Sequence, residues 1–131
     1  MKSFPKSDKG NFHVFNQELD AMFKLQHTEG VATLMDLIED DSGFYLVLSN
    51  KGDRTLKSIL GKSLSRNKNI EVFARQTVGK IGKIVAKMHK KKVMHRRLNP
   101  DSIMMSDSGK VASIVNFDFA LHIRNGWMVQ Q

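Results

Sequence analysis

Residues 69–89 place the strongest constraint on how this chain can fold. Ile70, Phe73, Ala74, Val78, Ile81, Ile84, Val85 and Met88 recur with the 3.6-residue period of a helix. A helix striped on one side needs a partner surface. Upstream, 31–38 and Gly43–Leu48 are rich in branched and aromatic residues, and the acidic turn at 39–43 separates them. They read as two strands of a hairpin. A second hairpin is expected from 103–105 and 111–115 around the turn Ser106-Asp107-Ser108-Gly109. Periodicity by itself therefore predicts mixed α and β elements.

The chemistry-bearing segment lies between the long helix and the second hairpin. It reads Val93-Met94-His95-Arg96-Arg97-Leu98-Asn99-Pro100-Asp101-Ser102-Ile103, and Asn116-Phe117-Asp118-Phe119-Ala120 follows the hairpin. It resembles the active site of the protein-kinase family, H-R-D-L-x-x-x-N followed by D-F-G. In that family the first Asp accepts the substrate hydroxyl proton, while the Asn and the second Asp hold magnesium on the nucleotide phosphates. His95, Arg96, Leu98, Pro100 and Ile103 match residues that shape the loop, whereas the chemical positions are replaced.

Arg97 stands where the resemblance puts the proton acceptor, and a guanidinium offers donors but no acceptor lone pair. Asn99 replaces the loop Lys. Ser102 replaces the metal-binding Asn with a shorter hydroxyl. Asn116 replaces the metal-binding Asp and removes the negative charge that a hard cation prefers. A second register, shifted by two, would put Asp118 at the metal position and leave Arg97 in place. Both registers predict loss of phosphoryl transfer and a chain that is not an enzyme; the first leaves no catalytic residue, no metal ligand and no cofactor, whereas under the second Asp118 could still reach a metal.

The resemblance extends over most of the chain. Residues 16–27 are similar to the family's helix C, with Glu18 at its charged position. Residues 31–48 match strands four and five, 50–53 the hinge, 55–60 helix D and 69–89 helix E, with 61–69 as a loop. The implied fold is α+β: a partial protein-kinase-like fold with a small antiparallel sheet and helix C, plus the helical upper part of the C-lobe. It forms one truncated domain over 1–131, with 1–50 the N-lobe remnant and 51–131 a partial C-lobe. No G-x-G-x-x-G occurs, and neither the glycine-rich loop before Glu18 nor an A-P-E motif after Ala120 is expected. Lys2 lies sixteen residues before Glu18. Two readings are open there: an ion pair resembling the family's Lys–Glu pair, or a flexible basic terminus and a surface Glu.

Composition limits the function classes. With 40% hydrophobic and 26% charged residues among 131, the chain is neither disordered nor membranous in type. It shows no run long enough to span a bilayer and no secretory signal in its first twelve residues. The absence of cysteine removes disulfides, thiol catalysis and cysteine zinc sites, and fits an intracellular, cytoplasmic or cytoskeletal protein. Five scattered histidines have no metal-ligand spacing, and eight methionines suit core gaps.

The net charge of +8 is concentrated at Lys80, Lys83, Lys87, Lys90 and Lys91, then at Arg96 and Arg97. That stripe reads either as a surface for acidic partners, cytoskeletal or nucleic acid, or as a solvated helix face with favourable cations near its C-terminus. Nucleic acid fits least, since aromatic residues do not interleave with the cations. Trp127 is a candidate anchor for a partner protein. The function expected from these features is a non-catalytic binding or structural subunit of a larger assembly. The alternatives are a nucleotide-binding regulator without phosphoryl transfer and a basic module for acidic surfaces.

Overall fold

The computed structural model describes residues 1–49, 52–63 and 69–123. Its elements are β1 (Lys2–Pro5), α1 (Asn11–Lys24), β2 (Leu34–Glu39), β3 (Gly43–Leu48), β4 (Arg54–Thr55), α2 (Leu56–Ser63), α3 (Ile70–Lys90), β5 (Val93–Met94), β6 (Ile103–Met105), β7 (Val111–Ile114) and β8 (Leu121–His122), with a short 3-10 turn at Pro100–Ser102. Three antiparallel sheets form, in the orders β1-β3-β2, β4-β6-β7 and β5-β8. The fold is α+β, as expected.

The terminal segment is a strand rather than a flexible end, and it makes the first hairpin three-stranded: Lys2 pairs with Leu46 and Phe4 with Phe44. Strand alternation places Lys2 and Phe4 on one face, toward α1. Phe15, Glu18 and Met22 recur at helical spacing on the buried side of α1. Phe4 and Phe15 meet edge to face at 5.5 Å, and with Leu46 they make a small apolar cluster. The β2–β3 turn is closed by Asp40, whose Oδ1 accepts from the Ser42 and Gly43 backbone N–H groups. Those bonds, that from the Ser42 hydroxyl foremost, favour the ionised form and lower its pKa.

The larger core joins α1, α3 and the second sheet through Met22, Leu25, Val31, Ile84, Met88, Ile103, Met105, Ile114 and Phe117. The stripe of α3 is used unevenly. Ile84 and Met88 are buried, but Val72 and Val78 are largely exposed. Thr77 is buried as well, and Phe73, Ile81 and Val85 pack against the core while partly exposed. Gly30 lies at φ +85, and a Cβ there would come within 2.5 Å of the Ile84 side chain. The first helix starts five residues before the expected 16, and the strand expected from 31 begins at Leu34. Val31 instead forms an isolated parallel bridge with Ile114, crossing from the first sheet's connection to the second sheet.

Candidate nucleotide cleft

A cleft of about 320 Å³ opens between β1 and the 97–118 segment, lined by Lys2, Arg97, Asn99, Asp101, Ser102, Asn116 and Asp118. Its inner wall is built on Glu18, whose side chain is fully buried. Lys2 Nζ approaches Glu18 Oε2 at 2.7 Å, and the Phe117 backbone N–H donates to Oε1 at 3.2 Å. The Lys2 approach is oblique, so Oε2 gains charge contact without a well-aligned hydrogen bond. Gln17, the preceding residue, donates from Nε2 to the Ala120 carbonyl at 3.0 Å. One turn of α1 thereby clamps 117–120. Of the two readings for the terminus, the structure has the ion pair.

Beneath this wall, His95 is 1% exposed and both ring nitrogens are committed. Its Nδ1 accepts the Arg97 backbone N–H at 3.1 Å, so the ring proton sits on Nε2, which donates to the Val115 carbonyl at 2.7 Å. Burial lowers the imidazole pKa, with Lys2 adding a little; the Val115 bond and the Asp118 charge oppose this. Its ring leans on Phe117 at 4.9 Å, and Phe117 is fully buried whereas Phe119 is 46% exposed. Asn116, just before the buried Phe, adopts φ 64, a left-handed conformation that Asn tolerates better than most residues. Arg96, at φ 67, turns its Nε to the Phe119 carbonyl at 2.7 Å and is therefore engaged within the chain.

The cleft floor differs from what spacing suggested. Ser102 does not point a free hydroxyl into the cleft: Oγ donates to the Asn99 carbonyl at 2.9 Å and accepts the Asn99 N–H at 3.1 Å. Asn99 returns the interaction, its Oδ1 accepting from the N–H groups of Asp101 and Ser102. The two residues form a reciprocal cap on the 3-10 turn. Asp118 Oδ1 lies 3.9 Å from Lys2 Nζ, and its Oδ2 lies 3.9 Å from Arg97 Nη1. Arg97 also stacks over the Phe119 ring at 4.6 Å. Asp118 thus bridges two cations, a placement set by the turn at Asn116. Sequence reasoning carried Asp118 only as an alternative metal ligand and passed over Asp101, which lines the cleft beside Lys57 at 3.5 Å.

Outside the cleft, the basic face of α3 is largely used within the chain. Lys80 and Lys87 reach Glu29 at 3.7 and 3.2 Å, and Lys91 donates to the Gln26 carbonyl and to Thr28 Oγ1. Lys87 and Lys80 lower the pKa of Glu29, with the Lys87 hydrogen bond foremost. Lys83 and Lys90 have no partner among the described residues. Trp127 and the hinge residues Asn50 and Lys51 lie outside the described residues.

A family model for the protein kinase domain matches residues 1–130. The chain belongs to the protein kinase family. Kinase relatives include MAP kinase-interacting serine/threonine-protein kinase 1 of Xenopus laevis, 28% identical over 109 residues, which are 80% of this chain and 24% of that protein. Calcium-dependent protein kinase 3 of Plasmodium yoelii yoelii is 25% identical over 121 residues, 92% of this chain and 22% of its own length. A calcium/calmodulin-dependent protein kinase of Metarhizium anisopliae is 28% identical over 118 residues, 88% of this chain and 29% of its own. The kinase chain described here thus spans about a quarter of the length of these relatives.

These relatives correct one expectation. Reading the replaced motif residues as proof that the chain is not an enzyme is overturned by its similarity to proteins named as serine/threonine and calcium-dependent protein kinases. Membership points to an enzyme. The physical reason lies in the reaction itself, where phosphoryl transfer depends mainly on positioning and electrostatic stabilisation. A general base contributes on the order of 10²–10⁴-fold, one part of the acceleration.

The divalent cation that protein kinases use fits the cleft floor poorly. Ser102 is spent on the Asn99 cap, Asn116 is neutral, and Asp118 is flanked by Lys2 and Arg97. A hard cation seeks several oxygen ligands, carboxylates among them. Here it would sit beside two fixed positive charges.

Proposed function

We propose that this chain supplies the nucleotide-binding core of a protein kinase domain, with Lys2 as the phosphate-holding cation. The carrying observation is the 2.7 Å contact between Lys2 and the fully buried Glu18, which fixes an ammonium at the mouth of the cleft. An ion pair on a buried carboxylate is costly to leave incomplete. It holds Lys2 ready for a second anion. Phosphates approaching the cleft would meet Lys2 and Arg97 together, and Asp118 would be their competitor. Phosphoryl transfer to a hydroxyl is proposed as the activity of the whole protein.

Partner binding is a second, compatible reading. We propose other protein subunits with acidic surfaces as partners of Lys83 and Lys90, the cations that the 26–29 segment does not take up. An intracellular, cytoskeletal location is proposed on the same charge argument. Among the described residues no helix is long and apolar enough to cross a membrane.

The test is a titration of the full-length protein with ATP, followed by thermal shift, together with transfer of labelled phosphate to a generic protein substrate. Stabilisation that grows with ATP concentration is expected, and Lys2→Met should need about tenfold more ATP for the same shift, the loss of one charged contact. A melting temperature indifferent to ATP would overturn the reading.

A further inference from the structure

We infer that Arg97 is the resident cation of this cleft and binds nucleoside polyphosphate directly, so that nucleotide binding does not require a divalent metal ion. This rests on the nucleotide reading above and adds how the phosphate charge is met. Four observations converge. The Arg97 side chain is 57% exposed and lines the cleft, with Nη1 3.9 Å from Asp118 Oδ2. Lys2 stands across the same carboxylate, 3.9 Å from Oδ1. The two neutral replacements cannot recruit a metal by charge, because Ser102 is turned into the Asn99 cap and Asn116 carries an amide. Asp101, the other carboxylate of the lining, faces Lys57.

The charge pattern is that of an anion site with an internal placeholder. Asp118 occupies the space between two cations, and a polyphosphate of higher charge can displace it. Arg suits the exchange because its planar fork gives two parallel hydrogen bonds to phosphate oxygens. Its positive charge is permanent and comes with a short route to the ligand, since the backbone at Arg97 is anchored by the N–H bond to His95 Nδ1. Stacking on Phe119 holds the guanidinium near the cleft while no ligand is bound. A metal ion placed in the same space would have to approach both cations and compete for carboxylates that already face cations, Asp118 with Lys2 and Arg97 and Asp101 with Lys57. The guanidinium replaces the neutralising role of that ion, though not its coordination geometry.

The experiment is calorimetric titration of the full-length protein with ATP, once with excess EDTA and once with magnesium. The expected result is binding in EDTA, with a dissociation constant within about threefold of the magnesium value, under half of a tenfold step in free energy. Arg97→Ala should weaken the EDTA binding at least about tenfold, Arg97→Lys by less, and Arg97→Asp should abolish it while making magnesium necessary. Asp118→Asn should tighten binding in EDTA by removing the competing anion. Each variant is checked by its melting curve, and the exposed position of Arg97 leaves the core untouched. Binding seen only with magnesium, or unchanged by Arg97→Ala in EDTA, would overturn this inference and leave the nucleotide reading standing. No binding under either condition would overturn both.

Discussion

The two sides of the cleft obey different physical rules. On the inner wall, Glu18, His95 and Phe117 are 0 to 1% exposed, and each polar atom among them is held by a named partner or charge. On the floor, Arg97, Asn99 and Asp101 are exposed, Asn116 and Asp118 are half-buried, and Ser102 alone is buried, closed into its cap with Asn99. A buried group is constrained by desolvation and packing whatever the protein does. An exposed one is held by weaker, solvent-screened contacts and is freer to change with its ligand. The wall therefore keeps the family's residue types, while the floor, where the chemistry sits, has exchanged them without disturbing the fold. Motif decay on such a floor says what charge the site presents and little about whether the family's reaction survives.

The comparison is broken most directly by attacking the wall. Phe117→Ala should cost about 3–5 kcal/mol, measured by denaturant unfolding, because an aromatic side chain is lost from a closed core. A loss under 1 kcal/mol would mean that the wall is no more constrained than the floor. Glu18→Ala follows, at about 3 kcal/mol. It strands the buried Phe117 N–H and the Lys2 charge, and the partial exposure of Lys2 keeps the cost at the low end. Gly30→Ala should cost about 1–3 kcal/mol from the contact with Ile84 and the positive φ.

A pH series sharpens the contrast further. His95 has its pKa lowered from 6.5 by burial, so below pH 6.5 the unfolded chain binds a proton that the folded chain resists. Stability should be full above that value and fall as pH drops toward the folded-state pKa. His95→Phe should flatten that slope, and an unchanged slope would assign the pH dependence elsewhere. Smallest of all are the surface changes. Arg97→Ala should alter stability by no more than about 0.5 kcal/mol. Glu29→Gln should leave the denaturation midpoint where it was, since its lysine contacts are solvent-exposed.

Much of the architecture was legible in the chain because periodicity reports burial directly. The stripe of α3, the β2–β3 hairpin and the 103–115 hairpin follow from which residues are apolar and at what spacing. The boundaries were less legible: α1 starts at Asn11, before any strong apolar repeat, and β1 is too short to announce itself. Helix α3 also carries apolar residues such as Val78 that the described core does not use. At the site, the sequence showed that Arg97 could not accept a proton and that Glu18 sat at the position of a charged helix residue. It left the terminus open between an ion pair and a loose end. Lys2 and Glu18 are joined by the pairing of β1 with β3, a contact between distant parts of the chain that no local pattern encodes.

By itself, then, the sequence determined the family, the α+β class and the charge of each residue available to the cleft, because these are carried by residue identity and spacing. Tertiary structure alone decided where those charges meet. The β1–β3 register brought Lys2 to Glu18, the left-handed turn at Asn116 swung Asp118 between Lys2 and Arg97, and the Asn99–Ser102 cap closed on the hydroxyl that stands in place of the family's metal-binding Asn. Electrostatic energy depends on distance and burial, and neither exists until the chain has folded.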